Sequence, residues 1–150
     1  MSTLKYEIDG DASPNDETKN FGGVIYGEVV YHHQMGKLSW QASDFACLGH
    51  SFIIDHPTDF NAIDDGQKFL EKVRAKESQT LNEAVLMFLY HNPRLVQENL
   101  RESYIIAWGT IRLWGGCYTV LGLTVGQDEQ PTLFYRHVAI GGTMACPHGI

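Results

Sequence analysis

Thr80-Leu81-Asn82-Glu83-Ala84-Val85-Leu86-Met87-Phe88-Leu89-Tyr90-His91-Asn92-Pro93 opens the most apolar part of the chain, which continues to Val125. Thr80 to Glu83 reads as a capping box, the Thr80 hydroxyl accepting from the Glu83 N–H and the Glu83 carboxylate reaching back. Leu81 to His91 is apolar on nearly every side, as a helix buried among several elements would be. Asn92-Pro93 stops that helix and starts another, because Pro lacks the N–H that a first helical turn leaves unpaired anyway. Val96, Leu100, Tyr104, Ala107, Ile111 and Trp114 then recur at three- and four-residue steps, which predicts a third helix to Ile106 and on to Trp114. Tyr104-Ile105-Ile106 and Thr110-Ile111 are strand formers, however, and Gly109 costs a helix about 1 kcal/mol against Ala. Gly115-Gly116 is a stop, and Cys117 to Leu121 reads as strand.

Outward from this segment, Tyr118–Val125 and Thr132–Ile140 flank a Gly126–Pro131 connection and predict a hairpin. The tail from Gly141 reads as irregular. On the other side, Asp64-Asp65 stands where carboxylates favour a helix start. Phe69, Leu70 and Val73 then form the apolar stripe of an amphipathic helix to about Lys76. Val24 to Tyr31 is β-branched and aromatic and reads as a strand covered on both sides. His32 to Lys37 makes a turn, Leu38 to Ala42 follows, and Phe45 to Ile54 is a third strand-like run closed by Asp55-His56-Pro57. Residues 7–17 are polar and acidic. The expected organisation is an acidic arm over residues 1–20 and one domain over 21–150. Its fold class is α+β, a mostly antiparallel sheet with about three central helices packed on one face.

At 150 residues the chain can bury about 70% of its unfolded surface, so its core requires neither disulfide nor metal. A net charge of −7 argues against a nucleic-acid binder, which presents a basic face to phosphates. Three cysteines, Cys47, Cys117 and Cys146, form no close pair, and an odd count without a framework suggests a reducing compartment. The N-terminus has no apolar signal-like run, and Arg101, Glu102 and Arg112 interrupt the most hydrophobic region. The expectation is a cytoplasmic protein that spans no membrane.

Two groups of residues could carry chemistry. The first is Cys47 with His137: a cysteine hydrolase needs a thiolate, an imidazole to take its proton, and a polar group to orient the ring. His137-Val138-Ala139-Ile140-Gly141-Gly142 with Ala145-Cys146-Pro147-His148 resembles locally the histidine strand of papain-like bacterial cell-wall endopeptidases. That resemblance covers about a tenth of the chain. It implies His137 as base, Cys47 as nucleophile, and His148 or Asp44 as orienter. The nucleophile of those enzymes sits in an Asp-Cys-Ser-Gly signature opening a helix. Here the nearest match, Asp44-Phe45-Ala46-Cys47-Leu48-Gly49-His50, lacks that order, and a cysteine in an apolar run is far more often inert packing.

The second group is His50, Asp55 and His56, with Asp59, His32 and His33 in sequence reach, whose nitrogens and oxygens suit Zn, Mn or Fe(II). No helical i, i+4 or strand i, i+2 histidine pair is present, and aspartates around Pro57 serve turns equally well. Asp9-x-Asp11-x-Ser13 begins like a calcium loop, but Pro14 and Asn20 stand where Gly and Glu are required. The glycine pairs form no phosphate loop, so no cofactor is implied. The expectation is therefore a small binding or regulatory protein. It would act through an apolar and acidic surface on a protein or small-molecule partner, and its apolar strand surface also fits assembly with a second copy.

Overall fold

The computed structural model describes residues 4–12, 28–54, 66–114 and 116–140. Strands β1 (Tyr6–Asp9), β2 (Glu28–His32) and β3 (Lys37–Trp40) are followed by short helices α1 (Ala42–Ala46) and α2 (Leu48–Ser51). Helix α3 (Gly66–Ala75) precedes α4 (Glu83–His91), and the last elements are β4 (Ile105–Ile106), β5 (Thr110–Trp114), β6 (Cys117–Val125) and β7 (Pro131–Ile140). β1 and β3 form an antiparallel pair of their own. The other five strands form one antiparallel sheet. β7 runs along one edge of β6 for its full length, while β5 and β4 share the other edge and β2 extends the sheet beyond β5. The fold is α+β, with the expected C-terminal hairpin in place. No helix among the described residues is long and apolar enough to cross a membrane.

Side-chain alternation along the central strands gives the sheet two apolar faces. Leu121, Leu123, Val125 and Leu133 pack with Val85, Leu86 and Leu89 of α4 in one cluster. Tyr118, Val120, Ile106 and Ile111 pack with Phe69 and Val73 of α3 in the other. The two longer helices thus serve opposite faces. Helix α4 is buried at Glu83, Ala84, Val85, Leu86, Met87 and Leu89, as its all-round apolar sequence requires. The β1–β3 pair reaches the same core through aromatic contacts, Tyr6 and Trp40 meeting Phe45 edge-on at 5.6 and 5.4 Å.

Four local expectations give way. The helix expected after Pro93 is two single 3-10 turns, Pro93–Leu95 and Glu98–Leu100, and the chain beyond is β4 and β5. Pairing of Ile105 and Ile106 with Leu123 and Gly122 of β6 brings out the β preference of these branched residues and outweighs the helical spacing. Residues 45–51, part of the Phe45–Ile54 run expected as strand, lie in α1, α2 and the junction between them. Phe45 and Leu48, three apart, put their side chains into the core on one helical side, and Asp44 accepts from the Gln41 N–H at 2.8 Å. The helix cap lies two residues later than the capping box placed it. Asn82, not Thr80, accepts from the Val85 N–H, and the Thr80 hydroxyl donates back to the Glu77 carbonyl. At the N-terminus, Tyr6–Asp9, from the stretch expected as arm, forms β1 with Ile8 buried.

A close backbone approach joins the sheet to the start of α4. The Gly109 N–H donates to the Leu81 carbonyl at 2.7 Å, and a methyl group at Gly109 would sit 2.8 Å from that oxygen. Only glycine lets the β4–β5 turn lie against the start of α4, which sets Thr110 and Arg112 beneath Glu83.

Candidate binding surface

The start of α4 organises a buried polar network. Asn82 caps the helix with its oxygen and donates its amide to the Gly10 and His33 carbonyls at 2.7 and 2.8 Å, joining two separate segments to the helix. The next residue, Glu83, receives two hydrogen bonds from Arg112, from Nε and Nη2, each 2.9 Å. Both side chains are fully buried. Burial pushes the Glu83 carboxyl above its ordinary range, against the hydrogen bonds from Arg112 that pull it down. Burial also weakens the hold of Arg112 on its proton, but Glu83 more than restores it, and the guanidinium stays charged. Both carboxylate oxygens are taken up by the guanidinium deep in the core, and the guanidinium has little left to offer a substrate. This pair is structural.

Thr110 extends the network. Its hydroxyl accepts from the Glu83 N–H at 2.9 Å and meets Nδ1 of His32 at 2.8 Å. Burial pushes the His32 pKa down, and the charges of His33 and Arg112 act in the same direction. The unfolded chain therefore takes up the His32 proton first. Stability should fall as pH drops through about 6.5, the unfolded value, and the loss should level off below the depressed folded value. Urea unfolding at a series of pH values is expected to show a smaller acid loss for H32Q than for the parent chain. Parallel profiles would contradict the assignment.

On the α4 face of the sheet, Arg112, Thr119 and His137 stand opposite one another across β5, β6 and β7. The His137 ring stacks on Trp114 at 5.6 Å, with 8° between the planes. Cys47 lies exposed at the α1–α2 junction, and its sulfur makes no hydrogen bond among the described residues. No hydrogen bond joins Cys47 to His137. Asp44 is occupied within α1, accepting from the N–H of Gln41, the residue that caps the helix. His50 is exposed on α2, whereas Asp55, His56 and His148 lie outside the described residues. Among the described residues no group of three His, Cys, Asp or Glu side chains could hold a metal ion. Cys117 is disulfide-bonded, so the odd cysteine count does not by itself argue for a reducing compartment.

The opposite face carries a different arrangement. Helix α3 covers the end of the sheet around Tyr118, Val120 and Val138. At the other end Gly122 has no side chain, and the Phe134 ring lies across it, in the space a methyl group there would need. Phe134 meets Tyr104 edge-on at 5.2 Å, and the Arg136 guanidinium carbon lies 5.3 Å from the Tyr104 ring and 5.6 Å from that of Phe134. Arg136 has no carboxylate partner among the described residues. Tyr104 is 52% exposed and shares with Leu4 the distinction of being a large exposed hydrophobic among the described residues.

Sequence reasoning points to none of these three residues as a site. Tyr104 reads as helical spacing, and Phe134 and Arg136 read as ordinary hairpin positions. The usable signal is the alternation of Phe134, Arg136 and Val138 on one side of β7, opposite a glycine in β6. The chain matches no protein-family model, no curated protein and no solved structure.

Proposed function

We propose that this chain is a small binding or regulatory protein without catalysis of its own. It would engage a protein partner through Tyr104, Phe134 and Arg136. The observation that carries the reading is an arginine without a carboxylate among the described residues, poised over two partly exposed aromatic rings on a sheet face that α3 leaves uncovered. Tyr and Arg are enriched among the residues that dominate protein–protein binding energy, because both combine large contact area with directional hydrogen bonds. The ring contacts also hold the guanidinium plane in place, which lowers the entropy cost of meeting a carboxylate. The partner therefore presents a carboxylate flanked by apolar side chains. The net charge of −7 lies within the range that keeps a small domain soluble and does not bear on this surface.

A photoreactive benzophenone amino acid at position 104, irradiated in the producing cells, tests this directly. One discrete adduct is expected at position 104 and none from the same group at exposed Ser43 on α1. No adduct at 104, or the same adducts from both positions, would overturn the reading. An adduct made only of two copies of this chain would replace it with self-association.

A further inference from the structure

A cleft lies along α3. Gln67, Leu70, Glu71 and Arg74 recur at i, i+3, i+4 and i+7, so they share one helical side, and with Tyr118 of β6 they line a cleft of about 440 Å³. Tyr118 is 8% exposed and its ring stacks on Phe69 at 5.9 Å, yet its hydroxyl makes no hydrogen bond among the described residues. The hydroxyl is not among the buried unpartnered polar atoms, so it reaches the open side of the ring and is free to meet a ligand in the cleft. Arg74 is held in place from behind. Its guanidinium carbon lies 5.8 Å from the Tyr31 ring, and Tyr31 is itself fixed by donating its hydroxyl to Glu77 at 2.5 Å. Arg74 has no carboxylate partner among the described residues, and Glu71 receives only a long hydrogen bond from Gln67, 3.5 Å.

The wall thus presents one positive and one negative group, not joined by an ion pair, with the apolar Leu70 beside them. A simple anion in this cleft would be repelled by Glu71 and a simple cation by Arg74. A molecule that carries both charges satisfies both. We propose that the α3 cleft binds a small zwitterion of amino-acid size. Its carboxylate meets Arg74 and the Tyr118 hydroxyl, its ammonium meets Glu71, and its body rests on Leu70. The site shares no residue with the Tyr104 surface, so either proposal can fail without the other.

The test is ¹⁵N-resolved NMR titration of the full chain with each common L-amino acid singly. For the tightest of them, its amide and its N-acetyl derivative serve as controls lacking one charge. Saturable shifts at Tyr118 and along α3 are expected from at least one amino acid. E71Q and R74Q should each weaken that binding about tenfold or more, the size of a lost charge-assisted hydrogen bond. Y118F should weaken it severalfold, and both derivatives should bind no better to the parent chain than the amino acid binds to the variants. Glu71 and Arg74 are exposed, so both variants are expected to melt with the parent chain. Three results would overturn the proposal: no saturable binding by any amino acid, equal affinity for the parent chain and both charge variants, or equal binding of the blocked derivatives.

Discussion

Replacing Arg112 by methionine with Glu83 left in place is expected to cost about 3–5 kcal/mol of stability, the scale observed when one member of a buried pair is removed. The reason is the carboxylate rather than the lost attraction. Glu83 is fully buried, and both its oxygens accept from Arg112. Without the guanidinium it must stay charged in an apolar site or bind a proton, and burial already pushes its pKa up. The variant should therefore regain part of its stability as pH falls, since the proton supplies what Arg112 no longer does. The parent chain should show a smaller gain, because there Arg112 opposes the proton on Glu83. The double variant E83M/R112M removes both charges and should lie within about 1–2 kcal/mol of the parent chain, because buried pairs often exchange with apolar residues at small net cost. Chemical unfolding of the three proteins at neutral and mildly acidic pH measures this. A single variant as stable as the double would mean that Glu83 finds another partner.

Asn82 should be nearly as sensitive. Its side chain caps α4 and also donates to two carbonyls, Gly10 and His33, from a fully buried position. Loss of the cap alone costs about 1 kcal/mol. Each carbonyl left without a donor adds about 1 kcal/mol or more, so N82A should lose about 3 kcal/mol in all. N82D separates the two roles. Aspartate is an equally good cap, but it would replace the donating amide with an oxygen facing two carbonyl oxygens. N82D should therefore be no more stable than N82A at neutral pH. If N82D matches the parent chain, the cap is the whole contribution and the link to Gly10 and His33 is worth nothing.

Much of the fold is legible in the chain because the strongest patterns are local. The amphipathic stripe Phe69, Leu70, Val73, the unbroken apolar run from Ala84 to Leu89 and the hairpin around Gly126–Pro131 each report their own structure. The segment after Pro93 misleads because Val96, Leu100, Tyr104 and Ala107 satisfy helical spacing while Ile105 and Ile106 satisfy a strand. The choice is made by β6, a partner that no local window contains. Phe45 and Leu48 mislead in the opposite direction, since an apolar run without clear alternation fits strand and buried helix equally.

The polar interior is partly visible in the sequence. Glu83 inside an apolar helix and Arg112 inside an apolar strand are each costly alone, which is a reason to pair them. Glu83 instead reads as the second half of a capping box. The Tyr104–Phe134–Arg136 surface is hidden because it joins the residue just before β4 to two residues of β7 across a glycine of β6. Neither spacing nor composition records that meeting.

We place recognition on this surface and assign the buried charges to the fold. The most direct test takes the protein captured at position 104 and measures its affinity for two variants, Y104A/R136A and E83M/R112M, each confirmed folded by its melting curve. Y104A/R136A is expected to melt near the parent chain and to bind about tenfold more weakly or worse, as loss of interface anchors would produce. E83M/R112M should bind as the parent chain does. Full binding by Y104A/R136A, with loss of binding by a folded E83M/R112M, would move the working site to the interior row of Arg112, Thr119 and His137 and contradict this assignment.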